Sequence, residues 1–259
     1  MSTSSFIYCH GLPGSAAELE LFGGPDLEGA SVVCLERLQA GRDHLDWQDR
    51  LLAAFDAARA NLDRPTVRLV AFSLGTMSAL HIAAKRPDAI EAVDVISAAA
   101  PLELGDFLPR MAGKAVFQAA ATSPGALRRL GHGQSLINAI APSFLLKVMF
   151  AGAAASEQAL LADADFRAAV RDGLTASLGR GRAAYEDELR TYVRPWSQIL
   201  SSVGCPVTLW HGDADGWAPL DMAYALAKAL PSGAAVTEIA GAGHFDALKR
   251  ALPAILRQG

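Results

Sequence analysis

The chain predicts an α/β fold: a mostly parallel sheet of about six strands with helices on both faces, and a helical cap inserted between the fourth and fifth strands. Three observations predict it. Short apolar or β-branched runs recur and are separated by stretches with helical periodicity, which is how a parallel sheet covered on both faces reads. The interval from Pro101 to Gly204 carries helical segments and no convincing strand. Loops rich in Gly, His, Asp and Ser follow the strand-like runs, where ligands bind in open α/β sheets.

The strand-like runs are Phe6 to Cys9, Val32 to Leu35, Val67 to Ala71, Ala92 to Ile96, Val207 to Trp210 and Val236 to Ile239. Leu45 to Leu62 reads as a helix because Leu51, Phe55, Ala58 and Leu62 fall on one face. Leu74 to Arg86 is a second helix, stopped by Pro87, and Pro219 opens a third that runs to Leu230. The last helix, Phe245 to Leu256, is expected to break or kink near Pro253. In the strandless interval, Gly113, Pro124, Gly131, Pro142, Gly173, Gly179 and Pro195 punctuate segments rich in Ala, Leu and Phe. So long a stretch is not a structureless loop in a compact domain. The expected organisation is a core of residues 1–100 and 205–259 with a cap of residues 101–204.

At 259 residues the chain can bury an ample core without a second domain. A net charge of -4, with no basic block longer than pairs such as Lys85-Arg86 and Arg128-Arg129, gives no electrostatic reason to expect nucleic acid. A small, uncharged substrate fits better. Cys9, Cys34 and Cys205 are far apart and lie in or beside strand-like runs, which suits buried hydrophobes more than a disulfide or a metal site. No His/Cys/Asp/Glu grouping has convincing ligand spacing, and neither a metal nor a cofactor is expected. The first functional loop begins at His10, too early for a cleaved secretory peptide. The most apolar stretch, Leu136 to Ala155, is interrupted by Pro142 and Lys147 and makes a poor membrane span. A cytoplasmic protein without membrane insertion follows; the oligomeric state is left open.

The third strand ends in Ala71-Phe72-Ser73-Leu74-Gly75 and gives way to a helix. This small-x-Ser-x-Gly spelling is that of a nucleophile elbow. The tight turn crowds the backbone, hence small residues two positions to either side, and pushes the Ser73 hydroxyl outward. The helix that follows aims free N–H groups at any oxyanion formed there. Composition alone predicts about 0.2 chance matches to such a pattern in a chain of this size. A second match, Ala121-Thr122-Ser123-Pro124-Gly125, is an internal control. Pro124 has no N–H for an oxyanion, and the residues before Ser123 read as helix rather than strand.

Two more motifs fall at strand ends. His211-Gly212-Asp213-Ala214-Asp215-Gly216-Trp217-Ala218-Pro219 follows the fifth strand, and Gly241-Ala242-Gly243-His244-Phe245 follows the sixth. At the amino end, His10-Gly11-Leu12-Pro13-Gly14-Ser15 makes a glycine-opened turn that exposes the N–H of Leu12. With these motifs in place and in this order, the chain resembles the α/β-hydrolase superfamily over nearly its whole length outside the cap. Ala71 stands where the commonest family pattern has Gly, and the first two strands of larger members are missing.

The resemblance implies a catalytic triad. Ser73 would attack, His244 would take and return the proton, and Asp215 would orient the imidazole. Leu12 and Leu74 would offer backbone N–H groups to the oxyanion. Asp213 is the rival acid; family spacing, three residues after the Gly, selects Asp215 and leaves Asp213 as a turn residue bonding its own backbone. His10 and His211 precede Gly in turns and read as structural; His44, His81 and His132 have no supporting motif. A serine at the elbow argues against the dehalogenase and epoxide-hydrolase branches, which need a carboxylate there. The expected activity is hydrolysis of a small or medium, largely apolar ester or thioester. Carbon–carbon bond hydrolysis, cofactor-free lyase chemistry and a binding role that retains the triad are the alternatives. Some of Phe107, Met111, Phe117, Leu127, Phe144, Met149, Phe150 and Trp196 are expected to line the pocket.

Overall fold

The computed structural model describes residues 4–38 and 45–258; His44 lies outside them. Six parallel strands form one sheet: β1 (Ser5–Cys9), β2 (Ser31–Cys34), β3 (Val67–Phe72), β4 (Ile90–Ile96), β5 (Val207–Gly212) and β6 (Ala235–Ile239), in the order β2-β1-β3-β4-β5-β6. The predicted runs match these strands to within two residues at either end. β1 and β3 are almost wholly buried, while the edge strands β2 and β6 are half-exposed, as apolar runs at a sheet centre and mixed ones at its edges require.

The register gathers the loops. Cys9 pairs with Ala71, Phe72 with Ile96, Ile96 with Trp210, and Gly212 with Ile239. The carboxyl ends of five strands therefore finish nearly in step, and the segments beginning at His10, Ser73, Ser97, Asp213 and Ala240 leave the same edge of the sheet.

Helices α1 (Ala16–Gly23), α2 (Trp47–Arg59), α3 (Gly75–Lys85), α10 (Asp221–Ala229) and α11 (His244–Leu256) pack around the sheet. α3 lies on β1, β3 and β4 and carries α2; α11 lies on β4 and β5 and carries α1. The break expected at Pro253 does not occur: α11 runs through it. A proline that near the end removes a single donor, and the buried side chains of Leu252, Ile255 and Leu256 hold the last turn in place.

Between β4 and β5 the described residues form no strand. They form α4 (Lys114–Thr122), α5 (Pro124–Ile140), α6 (Pro142–Met149), α7 (Ala155–Leu160), α8 (Ala164–Leu178) and α9 (Arg182–Tyr192). Pro124 and Pro142 each open a helix at its first position, where the missing N–H costs nothing. Gly131 and Gly173 are not boundaries; they lie inside α5 and α8. At Gly173, α8 passes so close to the β1 loop that a Cβ there would sit 2.8 Å from the Cα of Gly14. Ser123 caps α5, its Oγ accepting from Ala126 N–H at 3.1 Å, on extended backbone after a helix. Among the described residues no helix is long and apolar enough to cross a membrane.

Candidate active site

Ser73 is the first of the two residues between β3 and the start of α3, at φ 55°. A non-glycine residue in that region is strained and persists only where its surroundings enforce it. Here they do. Ser73 N–H donates to Ile96 O at 3.0 Å, and Ser73 O accepts from Thr76 N–H at 3.0 Å and Thr76 Oγ1 at 2.6 Å. Gly75 is obligatory, since a Cβ would lie 2.2 Å from Cys9 O. Cys9 itself is fully buried, and burial pushes its thiol up to about 12.

His244 begins α11. Its Nδ1–H donates to Asp215 Oδ2 at 2.7 Å, which leaves Nε2 as the free acceptor. The second oxygen of Asp215 accepts from Trp217 N–H at 2.8 Å and Ala218 N–H at 2.9 Å. Burial works against the charge on Asp215, but His244, His211 and these N–H groups outweigh it and hold the carboxyl below its ordinary range. Burial likewise opposes a charged His244; Asp215, with Glu157 and Glu18 farther off, reverses that and raises the imidazole above the usual histidine value. Asp213 is elsewhere. Its Oδ1 accepts from Gly241 N–H at 2.7 Å, tying the β5 loop to the β6 loop rather than closing its own turn.

His211 accepts from Ala98 N–H at Nδ1 (3.1 Å) and donates from Nε2 to Ala218 O (2.8 Å). Burial holds it below the ordinary value. It is a neutral brace for the loop that carries Asp215. His10 donates to Gly11 O at 2.7 Å and is likewise kept neutral, first by burial and then by Arg37. His81 donates to Met77 O between the rings of Trp47 and Trp196, and His132 bonds Arg128 O on α5.

A cavity of about 260 Å³ opens at Ser73. Leu12, Pro13, Ser73, Leu74 and Trp217 line it from the strand-end loops, and the segment between β4 and β5 supplies Met111, Phe117, Leu130, Leu145, Met149, Leu174 and Leu189. Gln134 and Tyr185 are the polar side chains among that segment's contributions, and among the described residues no charged side chain lines the cavity. Of the pocket residues expected from sequence, Met111, Phe117 and Met149 are there. Phe107, Leu127, Phe150 and Trp196 are buried elsewhere, and Phe144 faces out at 58% exposure, because periodicity identifies a buried face without saying what covers it. Among the described residues neither the Leu12 N–H nor the Leu74 N–H is spent in a hydrogen bond. The contact from Ser73 Oγ to His244 Nε2 is not formed here; such contacts are commonly long without substrate and tighten as a site fills. The Trp217 ring, which lines the cavity, stacks on His244, 6.0 Å away at 26°.

Three buried ionisable groups around this site escaped the sequence reading. Glu18 Oε2 accepts from Gly11 N–H at 3.0 Å and Tyr8 Oη at 3.1 Å. Arg37 Nη2 donates to His10 O and Gly11 O while its Nε meets both oxygens of Glu188 at 3.0 Å. Glu157, on α7, accepts from Phe245 N–H.

The model of the alpha/beta hydrolase fold family matches residues 5–251. The chain belongs to that family. Solved structures agree on the hydrolase fold. A hydrolase from Oleispira antarctica superposes with a TM-score of 0.68 at 12% identity, covering 100% of this chain and 91% of its own. A thermophilic esterase from Thermogutta terrifontis gives 0.67 at 16% identity, covering 99% and 89%. The enol-lactonase from Burkholderia xenovorans LB400 gives 0.65 at 16% identity, covering 100% and 90%. At these identities the likeness is one of fold. No curated protein matches the chain.

Proposed function

We propose that this α/β hydrolase is a serine hydrolase that cleaves a small or medium, largely apolar carboxylic ester or thioester through an acyl-enzyme on Ser73. One observation carries the reading. The strained Ser73 lines an uncharged cavity together with Leu12 and Leu74, whose N–H groups are unspent, and at the same edge of the sheet His244 has its proton held on Nδ1 by Asp215.

In the proposed cycle Ser73 Oγ attacks the carbonyl carbon and His244 Nε2 takes the hydroxyl proton. The oxyanion settles between the N–H groups of Leu12 and Leu74, donors already in place before the charge develops. Collapse expels the alcohol or thiol, which receives the proton from His244. Water then attacks the acyl group with the same base and releases the acid. Asp215 balances the imidazolium in each half-cycle. The helices between β4 and β5 act as the cap, and their apolar side chains take the acyl or alcohol chain. The uncharged lining disfavours substrates that carry a carboxylate into the pocket, because a buried charge needs a partner. The ester and lactone chemistry named for two structural neighbours is of the same bond class.

The test is a fluorophosphonate probe with mass spectrometry, alongside turnover of an ester panel of graded chain length. Ser73 is expected to carry the adduct. Ser73→Ala should lose turnover on the order of a million-fold while keeping its fold. Folded Ser73→Ala with wild-type activity rules the reading out.

A further inference from the structure

Helix α11 has no cap of its own. Its N-cap residue is Gly243, which has no side chain to accept from the free N–H groups of the first turn, and a buried helix start needs such acceptors. They come from the inserted segment. Ser156 Oγ accepts from Gly243 N–H at 3.0 Å, and Glu157 Oε1 accepts from Phe245 N–H at 2.6 Å. The two bonds bracket His244. The fit is close, since a Cβ on Gly243 would come within 2.5 Å of Glu157 Cγ.

Glu157 is fully buried. Among the described residues its Oε2 has no hydrogen-bond partner, and neither has Trp217 Nε1, although the indole lies near enough to steady the carboxylate. Burial raises the Glu157 carboxyl above its ordinary range, His244 and Phe245 N–H pull it back, and Asp215 opposes them. A buried carboxylate with an idle oxygen is costly unless it meets positive charge. The imidazolium of His244 is the positive charge within reach. The ionisable groups acting on that ring are Asp215 and His211 from the β5 side, Glu18 from α1 and Glu157 from α7. Phe72, Trp217 and Phe245 supply its aromatic surroundings.

We propose that Glu157 is a positioning residue for His244: it caps the helix that His244 begins and sets a second negative charge beside the imidazole. The cap segment thereby tunes the base as well as covering the pocket. The inference rests on the serine-hydrolase reading, and its test separates the two.

Glu157→Gln keeps an oxygen for Phe245 N–H and removes the charge; Glu157→Ala removes both. In ¹⁵N-histidine-labelled protein, with the His244 signal assigned by its loss in His244→Asn, the imidazole of Glu157→Gln should titrate lower than wild type by at least about half a unit, because a nearby anion favours the charged ring. The pH midpoint of kcat/KM for a short-chain p-nitrophenyl ester should move the same way, with plateau kcat within about threefold of wild type. Glu157→Ala should lose about tenfold or more in kcat with KM nearly unchanged, the size of a lost helix cap. An unmoved His244 titration in Glu157→Gln, or wild-type kcat and midpoint in Glu157→Ala, overturns the proposal. If Glu157→Ala does not fold, the titration of the Gln variant decides. Should wild type hydrolyse no ester, the serine-hydrolase reading fails by itself, and the His244 titration still judges Glu157.

Discussion

Asp215 makes a sharper test than either of its partners, because its two oxygens are not equivalent. Oδ1 is taken by the N–H groups of Trp217 and Ala218, and Oδ2 by His244. An asparagine there has to put its oxygen toward the two backbone donors, which turns its NH₂ toward His244 Nδ1. That forces the proton onto Nε2, the atom that acts as base in the proposed cycle. Asp215→Asn should therefore fall by about ten-thousand-fold in kcat. Asp213→Asn can still accept from Gly241 N–H and should stay near wild type. Both are read with an activated ester, and a crippled Asp213 variant beside a nearly normal Asp215 variant would reassign the acid. Ser73, Asp215 and His244 could be singled out as candidates in the sequence because each stands in, or directly after, a short strand-end loop with its own local spelling. Glu157 was not: its partner Phe245 is 88 residues away, and nothing in Ser156-Glu157 marks it as the cap of a distant helix.

At the scale of elements, the strands were the clearest part of the sequence, since a buried parallel strand needs an apolar run with few exceptions. Helix α1 was missed, although Ser15-Ala16-Ala17-Glu18 is a capping-box spelling. Ser15 does cap it, accepting from Ala17 N–H, but Glu18 turns inward to Gly11 and Tyr8 instead of back to its own helix start. This diversion has a measurable consequence. Burial pushes Glu18 up to about 7 from 4.5, against the pull of Gly11 N–H, Tyr8, Arg37 and His244. Between those two values the folded protein holds a proton that the unfolded chain releases. The contribution is thus complete below about pH 4.5 and lost as pH rises through about 7, a change on the order of 3 kcal/mol. Glu18→Gln lacks it. The difference in unfolding free energy between wild type and this variant, measured in urea from pH 4.5 to 8, should shift against wild type across that window and level off above it. A constant difference would show that Glu18 ionises in the folded protein as it does in the unfolded chain.

At the scale of the whole molecule, the sheet and the inserted helices are joined at the β1 loop by one buried ion pair, Arg37 with Glu188 of α9, each side chain 2% exposed. Arg37 also holds the carbonyls of His10 and Gly11, so the turn that carries the Leu12 N–H is tied through Arg37 to Glu188 of the inserted helices. Removing one partner and replacing both have different effects. Glu188→Ala leaves a guanidinium buried and uncompensated, which should destabilise the protein by about 3–5 kcal/mol, a large share of the roughly 5–15 kcal/mol a domain has. The pair Arg37→Met with Glu188→Leu removes both charges and fills the space, so most of that stability should return. Activity should not return with it, because methionine cannot bond the two carbonyls and the β1 loop loses its anchor. Urea unfolding beside kcat for an activated ester separates the two effects. A double variant restored in both would mean the pair is only a fastener between layers; one restored in stability alone assigns Arg37 to holding the turn proposed to bind the oxyanion.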